Sequence, residues 1–213
     1  MDLWAATLAL WQRYDITART VEHLSMFAWA LALSVVIGVV LGMLLYRREH
    51  TSGYVFASLN TLETFPDLAL LALLIPLVGI GAAPTVIACI LYSILPIARN
   101  AYTGLASVSA EHLEVAAALG LTERETLLRV RVPLALPLIA GGVRIAVVFT
   151  MGIVTLGGLI GAGGLGVPLQ TGIFNNIPEI VLLAGLWVSL LAVVLDGAAG
   201  LIEKMLHRRY GGW

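Results

Sequence analysis

Five stretches of this 213-residue sequence approach or exceed the roughly 20 mostly apolar residues that a helix needs to cross a bilayer. They cover 24–46, 55–79, 84–98, 134–160 and 180–201. The residues are 60% apolar and 12% charged, with a mean hydropathy of +0.97, whereas soluble domains run near ~45–50% and ~25%. The pattern predicts an all-α membrane protein with five transmembrane helices. The second stretch carries Glu63, Pro66 and Asp67, and Pro66 predicts a bend there that frees backbone groups for neighbouring helices or water. The third is short and ends at Leu95-Pro96-Ile97-Ala98-Arg99.

Lys and Arg collect on cytoplasmic loops. Placing Arg47 and Arg48, Arg99, Arg124, Arg129 and Arg131, then Lys204, Arg208 and Arg209 inside leaves only Arg13 and Arg19 outside. The N-terminus is therefore expected outside the cell membrane and the C-terminus in the cytoplasm. No linker or repeat divides the sequence, so 1–213 reads as a single transmembrane domain. Met1-Asp2-Leu3-Trp4 lacks the basic residues that open a cleavable signal peptide.

Several functions are disfavoured. A net charge of -1 gives nucleic acid no concentrated basic face. Lys204 lies between Glu203 and Met205, and it is the sole lysine, so no Gly-Lys-Ser/Thr phosphate loop exists and the chain cannot hydrolyse ATP by that route. The run Gly161-Ala162-Gly163-Gly164-Leu165-Gly166 matches a dinucleotide fingerprint in form, but a span-length apolar run precedes it and Val167-Pro168 follows. A flexible extracellular glycine loop is the better reading. His23, His50, His112 and His207 are scattered, which argues for interfacial or solvated residues rather than a shared metal site. Cys89 has no disulfide partner. Neither enzyme chemistry nor a cofactor is expected.

The segment 107–133 is too polar for lipid and too periodic for a plain connector. Ser109 suits a helix N-cap, with Glu111 and Glu114 in the turns that follow. Gly120 suits the left-handed residue that closes a helix. Thr122 and Glu125 have the spacing of a capping box, and Pro133 is placed where the second helix must stop or bend. Two short helices with a glycine elbow are expected at the cytoplasmic face.

This segment resembles the permease subunits of type I ABC importers. Their signature is Glu-Ala-Ala, three residues, Gly, nine residues, then an aliphatic residue, any residue and Leu-Pro. Here Glu114-Val115-Ala116, Gly120 and Val130-Arg131-Val132-Pro133 keep that spacing, with Val115 for Ala and Val132 for Leu. The stretches 63–73, 78–81, 91–100 and 158–166 look like the betaine, carnitine and choline branch, the osmoprotectant importers. Phe65-Pro66-Asp67 stands where that branch usually has Ile-Pro-Ser.

The resemblance implies the MetI-like five-span fold, a second permease subunit, two ABC ATPase subunits that bind the ATP, and an external solute-binding protein with most of the selectivity. It also implies that Glu114, Ala116, Ala117, Gly120 and Leu121 couple the permease to its ATPase in an inner membrane.

Charges within spans are costly and therefore informative. Arg144 lies about ten residues into the fourth stretch, ~15 Å deep, and Asp196 about eight residues before Lys204, ~12 Å deep from the same face. Matching depth predicts an ion pair that fixes helix packing. Glu63 and Asp67 could compete for Arg144 or face the translocation path, and Asp67 would weakly attract a cationic solute. Other readings remain: an ATP-independent secondary transporter or channel, a permease for another solute such as an amino acid, or a scaffold or sensor subunit.

Overall fold

The computed structural model describes residues 3–210, and every regular element among them is a helix. Apolar runs of this length fold as helices because the bilayer offers no water to backbone N–H and C=O groups, so each run must satisfy its own. The order is α1 Leu3–Arg13, α2 Ile16–Leu45, α3 Glu49–Glu63, α4 Asp67–Val78, α5 Ala82–Ala106, α6 Ala110–Ala118, α7 Glu123–Thr126, α8 Val132–Gly157, α9 Gly166–Phe174 and α10 Pro178–Tyr210.

Four continuous helices are long and apolar enough to cross a membrane: α2, α5, the stretch Glu123–Ile160, and α10. The pair α3 and α4, between which the chain turns by 97°, is a fifth candidate when counted as one broken span. Pro66 therefore marks a break rather than a bend. At the break Thr64 donates from both its backbone N–H and its hydroxyl to the Thr61 carbonyl, at 3.2 and 2.7 Å. Leu70 N–H takes the Pro66 carbonyl at 3.0 Å. Local bonds thus satisfy part of the freed backbone.

Several boundaries differ from the hydropathy reading, among them the end of α10, which runs nine residues past Leu201 to Tyr210 and so takes Lys204, Arg208 and Arg209 into a helix. α2 begins at Ile16, eight residues before the predicted start, because polar residues tolerated in its first turns dilute the apolar signal. α5 continues to Ala106, so Arg99 lies inside a helix and not in a loop. Pro133 does not stop the fourth span, which runs continuously over Glu123–Ile160. A π turn at Leu127–Arg131 precedes the proline, with Val132 N–H bonded to the Leu127 carbonyl. The wider turn relieves the crowding that a proline ring causes at the carbonyl four residues back.

The chain forms two compact units, and α2, α5, α8 and α10 contribute residues to both. In the unit formed by 1–32, 65–90 and 148–195, the buried centre is Ile16, Leu165 and Ile180. Trp11 meets Trp187 edge-on, with ring centroids 5.0 Å apart. Their indole N–H groups donate to Thr17 and Thr20 at 2.8 and 2.9 Å. The two contacts of Trp11 give α1, a helix absent from the hydropathy reading, a fixed seat, while the Trp187 bond ties α10 to α2.

The glycine run is packed rather than loose. Gly161, Gly163 and Gly164 hold φ of 76°, 91° and 65°, values that side chains other than glycine's adopt at a cost. Gly164 N–H donates to the Glu22 carboxylate at 2.9 Å, and Arg19 pairs with that same carboxylate at 2.9 Å. His23 is fully buried beside this loop, with neither ring nitrogen hydrogen-bonded, which corrects its reading as interfacial. His50 and His207 are exposed.

In the unit formed by 33–64, 91–147 and 196–213, Ala101, Leu105, Ala135 and Ile139 form the buried centre, flanked by Val39, Met43, Tyr46 and Val143. Gly38 and Gly42 let α2 approach α5 closely. A methyl group on Gly42 would lie 2.5 Å from the Ala101 Cβ, and one on Gly38 would lie 2.7 Å from the Ile97 Cβ. Small residues four apart bring membrane helices into backbone contact in this way.

Candidate coupling site and intramembrane charges

The segment between α5 and α8 holds its shape by helix caps. α6 ends at Ala118 with Leu119 as its C-cap, and Gly120 follows at φ 73°. Leu121 N–H returns to the Ala116 carbonyl at 3.1 Å and Gly120 N–H to the Ala117 carbonyl at 2.9 Å. This is the Schellman pair of bonds, which closes a helix on a left-handed residue. Thr122 then caps α7: its hydroxyl accepts from Glu125 N–H at 3.3 Å while Thr122 N–H donates to the Glu125 carboxylate at 3.0 Å. Ser109 occupies the N-cap position of α6 without capping it. Its hydroxyl bonds the His112 ring instead, at 2.7 Å.

Of the five residues singled out in this segment, Glu114, Ala117 and Gly120 are exposed and Leu121 is half-buried. Ala116 is only 2% exposed and packs inward, so it holds α6 in place and offers no outer contact. Val115 and Leu119 are 56% and 73% exposed. Four residues apart, they share one helix face and give a polar segment an uncovered apolar stripe that pattern reading overlooked. On the other face of α6 lies a hollow of about 250 Å³ lined by Arg47, Leu113, Ala117, Leu121, Glu123, Thr126 and Arg131. Arg47 pairs with Glu123 at 2.8 Å, and Arg131 donates to the Leu105 carbonyl at 2.6 Å.

Arg144 and Asp196 meet as their depths predict. Nε and Nη2 of Arg144 donate to the two oxygens of Asp196 at 2.7 and 3.0 Å, a two-pronged pair. Nη1 reaches Glu203 at 3.3 Å. Glu203 lies about two helical turns beyond Asp196 on α10, and no sequence pattern singles it out. Two carboxylates thus share one guanidinium, which leaves Arg144 well occupied. Glu63 ends α3 and Asp67 opens α4, on either side of Pro66. Asp67 is exposed, and its charge suits the positive end of α4. Among the described residues neither Glu63 nor Asp67 has an ion pair or hydrogen bond through its side chain.

A second arginine, towards the end of the candidate span α5, has a different setting. Arg99 is exposed on α5, donates from Nη2 to Asn60 Oδ1 at 3.1 Å, and stacks its guanidinium over Phe56, 5.7 Å from the ring centroid. Phe56 meets Tyr102 edge-on at 5.4 Å. No local pattern announces this cluster, because its members come from two helices about forty residues apart in sequence.

Residues 12–208 match the family described as "Binding-protein-dependent transport system inner membrane component". This chain belongs to that family. It is a multi-pass inner-membrane permease subunit of an ABC importer, not an enzyme, and the family implies partnership with an ATPase and a solute-binding protein.

Among relatives of this permease, the osmoprotectant import permease OsmW of Salmonella typhimurium is 40% identical, over 85% of this chain and 86% of its own length. The choline transport permease OpuBB of Bacillus subtilis is 36% identical over 90% and 88% of the two chains. The fold matches a chain of the MetNI methionine ABC transporter with a TM-score of 0.79 at 22% identity, over 92% of this chain and 97% of that one. The MetI-like architecture is thereby established.

Proposed function

We propose that this permease carries a quaternary ammonium osmoprotectant such as glycine betaine, carnitine or choline. The similarity to OsmW and OpuBB along most of both chains supports this choice. The reading takes 1–213 as one permease domain that pairs with a second permease subunit, identical or related. Two ABC ATPases bind ATP in the cytoplasm and an external receptor delivers solute. The N-terminus lies outside and the C-terminus inside, in keeping with the arginine distribution.

The observation that carries the coupling assignment is the stripe of Val115 and Leu119 on α6, held outward by the Schellman bonds at Gly120 and the capping box at Thr122. An apolar stripe on a short polar helix is a protein-binding feature. Closure of the ATPases would push this capped elbow as a rigid piece and so switch the spans between inward-open and outward-open states. Glu114, Ala117 and Gly120 border the stripe, while Ala116 and Leu121 anchor it.

Replacing Gly120 by Val tests the assignment. Nothing lies within 4 Å of a Cβ placed there, so a defect reports backbone conformation or the partner surface. A left-handed non-glycine residue costs about 1–2 kcal/mol. The variant is expected to assemble weakly or to hydrolyse ATP without uptake. Wild-type uptake per ATP hydrolysed would overturn the assignment.

A further inference from the structure

α3 presents Phe56, Asn60 and Glu63 at a spacing of four and three residues, so they share one face. α5 places Arg99 and Tyr102 against it. Arg99 is exposed on a candidate membrane span and Asn60 on the more polar α3, and such donors need water or protein in front of them, since facing lipid is costly. Arg99 spends one of its five N–H donors on Asn60, and among the described residues no carboxylate pairs with it directly. Glu63 is near enough to feel its field yet makes no ion pair. Arg144, by contrast, already holds two carboxylates. The Phe56 face accepts a cation, as its stacking with Arg99 demonstrates.

We propose that this cluster is a contact site for solute in transit, selective for a zwitterion that joins a quaternary ammonium to a carboxylate. The Arg99 fork takes the carboxylate through its unused donors. Drawn toward that anion, the guanidinium yields the face of Phe56 to the ammonium, whose charge Glu63 balances. Tyr102 braces the Phe56 ring edge-on. The site has both charge signs within one face, which a carrier of a zwitterion needs and a lipid-facing surface does not. It rests on the osmoprotectant reading above and adds the residues that touch the solute.

The test uses the full complex in proteoliposomes, with permease, ATPase and receptor, and compares uptake of saturating glycine betaine with that of choline. Choline shares the trimethylammonium group but carries a hydroxyl in place of the carboxylate. The ratio of the two rates is independent of how much complex folds. Arg99→Gln should lower the glycine betaine to choline ratio about tenfold, the scale of one charge-assisted bond. Glu63→Gln should slow both solutes and leave their ratio within about twofold.

If Arg99→Gln fails to assemble, Arg99→Lys keeps the charge, loses the fork and should still lower the ratio about threefold. An unchanged ratio in the assembled variant overturns the proposal and leaves the transport function standing. A wild type that carries neither solute overturns the osmoprotectant reading and this site with it. A wild type that carries choline alone contradicts a carboxylate site. If glycine betaine alone is carried, uptake per ATP-hydrolysing complex is the readout, and a loss under twofold overturns the proposal.

Discussion

Substituting Gly42 by Ala should unseat α2 from α5. The added methyl would sit 2.5 Å from the Ala101 Cβ, 2.9 Å from the Ala98 carbonyl oxygen and 3.0 Å from the Tyr102 nitrogen. Carbon atoms rest at about 3.5–4.0 Å, so one helix must retreat by roughly 1 Å. Two of the three obstacles are backbone and cannot rotate away. Overpacking of this kind costs about 1–3 kcal/mol, against a gain of about 1 kcal/mol from replacing a helical glycine. The net of about 0–2 kcal/mol, at roughly 2–4 °C per kcal/mol for a chain of this size, is a loss of up to about 8 °C.

Cys89 provides the assay. It is the single cysteine and is fully buried, so a thiol-reactive fluorogenic dye in detergent reads unfolding directly. Gly53→Ala on α3 is the control, because nothing lies within 4 Å of its added methyl. It should match or slightly exceed the wild type. Ala101→Gly combined with Gly42→Ala should recover part of the loss, the Ala98 and Tyr102 contacts remaining. If Gly42→Ala melts like Gly53→Ala, the close approach is not where the packing energy lies.

Arg144→Gln leaves Asp196 and Glu203 without a cation and should sharply reduce the yield of monodisperse protein, whereas the triple variant with Asp196→Asn and Glu203→Gln should recover it. Equal yields of the two would show that the pair does not stabilise the helices. Cysteines at Thr51, the exposed neighbour of the buried Ser52, and at Arg209 in a Cys89→Ala background should resist an impermeant thiol reagent in intact cells, while one at Asn175 reacts. Labelling of all three from outside would refute the five-span arrangement. Asp67→Asn should slow uptake modestly while assembly and basal ATPase activity persist, and a variant that transports normally would confine Asp67 to its role at the start of α4.

Features encoded within a few residues were legible before the structure. The elbow at Gly120 and the capping box of Thr122 and Glu125 depend on local spacing, and both form as read. The pairing of Arg144 with Asp196 followed from depth, since two costly charges on different spans at one level have little choice but to meet. Misreadings arose where tertiary contacts outweigh local signals. Arg99 looked like a loop charge because charge alone was counted, yet the Phe56 ring and the Asn60 amide accommodate it on a helix. Ser109 had a cap's identity, but its hydroxyl turned to His112. His23 looked solvated until the glycine run closed beside it. Glu203 drew no notice because it sits next to Lys204 near the end of α10 and resembles an interfacial charge.

The break at Pro66 bears on how the chain enters the membrane during synthesis. α3 has 15 residues and α4 has 12, or about 22 and 18 Å of helix, both short of the ~30 Å hydrocarbon core. Neither half can partition into lipid as an independent span. The insertion machinery must therefore retain this pair, with Glu63 and Asp67 at its corner, until later helices emerge to receive it. Its membrane integration is expected to be post-sequential, and truncation after Val78 should leave α3 and α4 accessible to protease where truncation after Gly157 protects them.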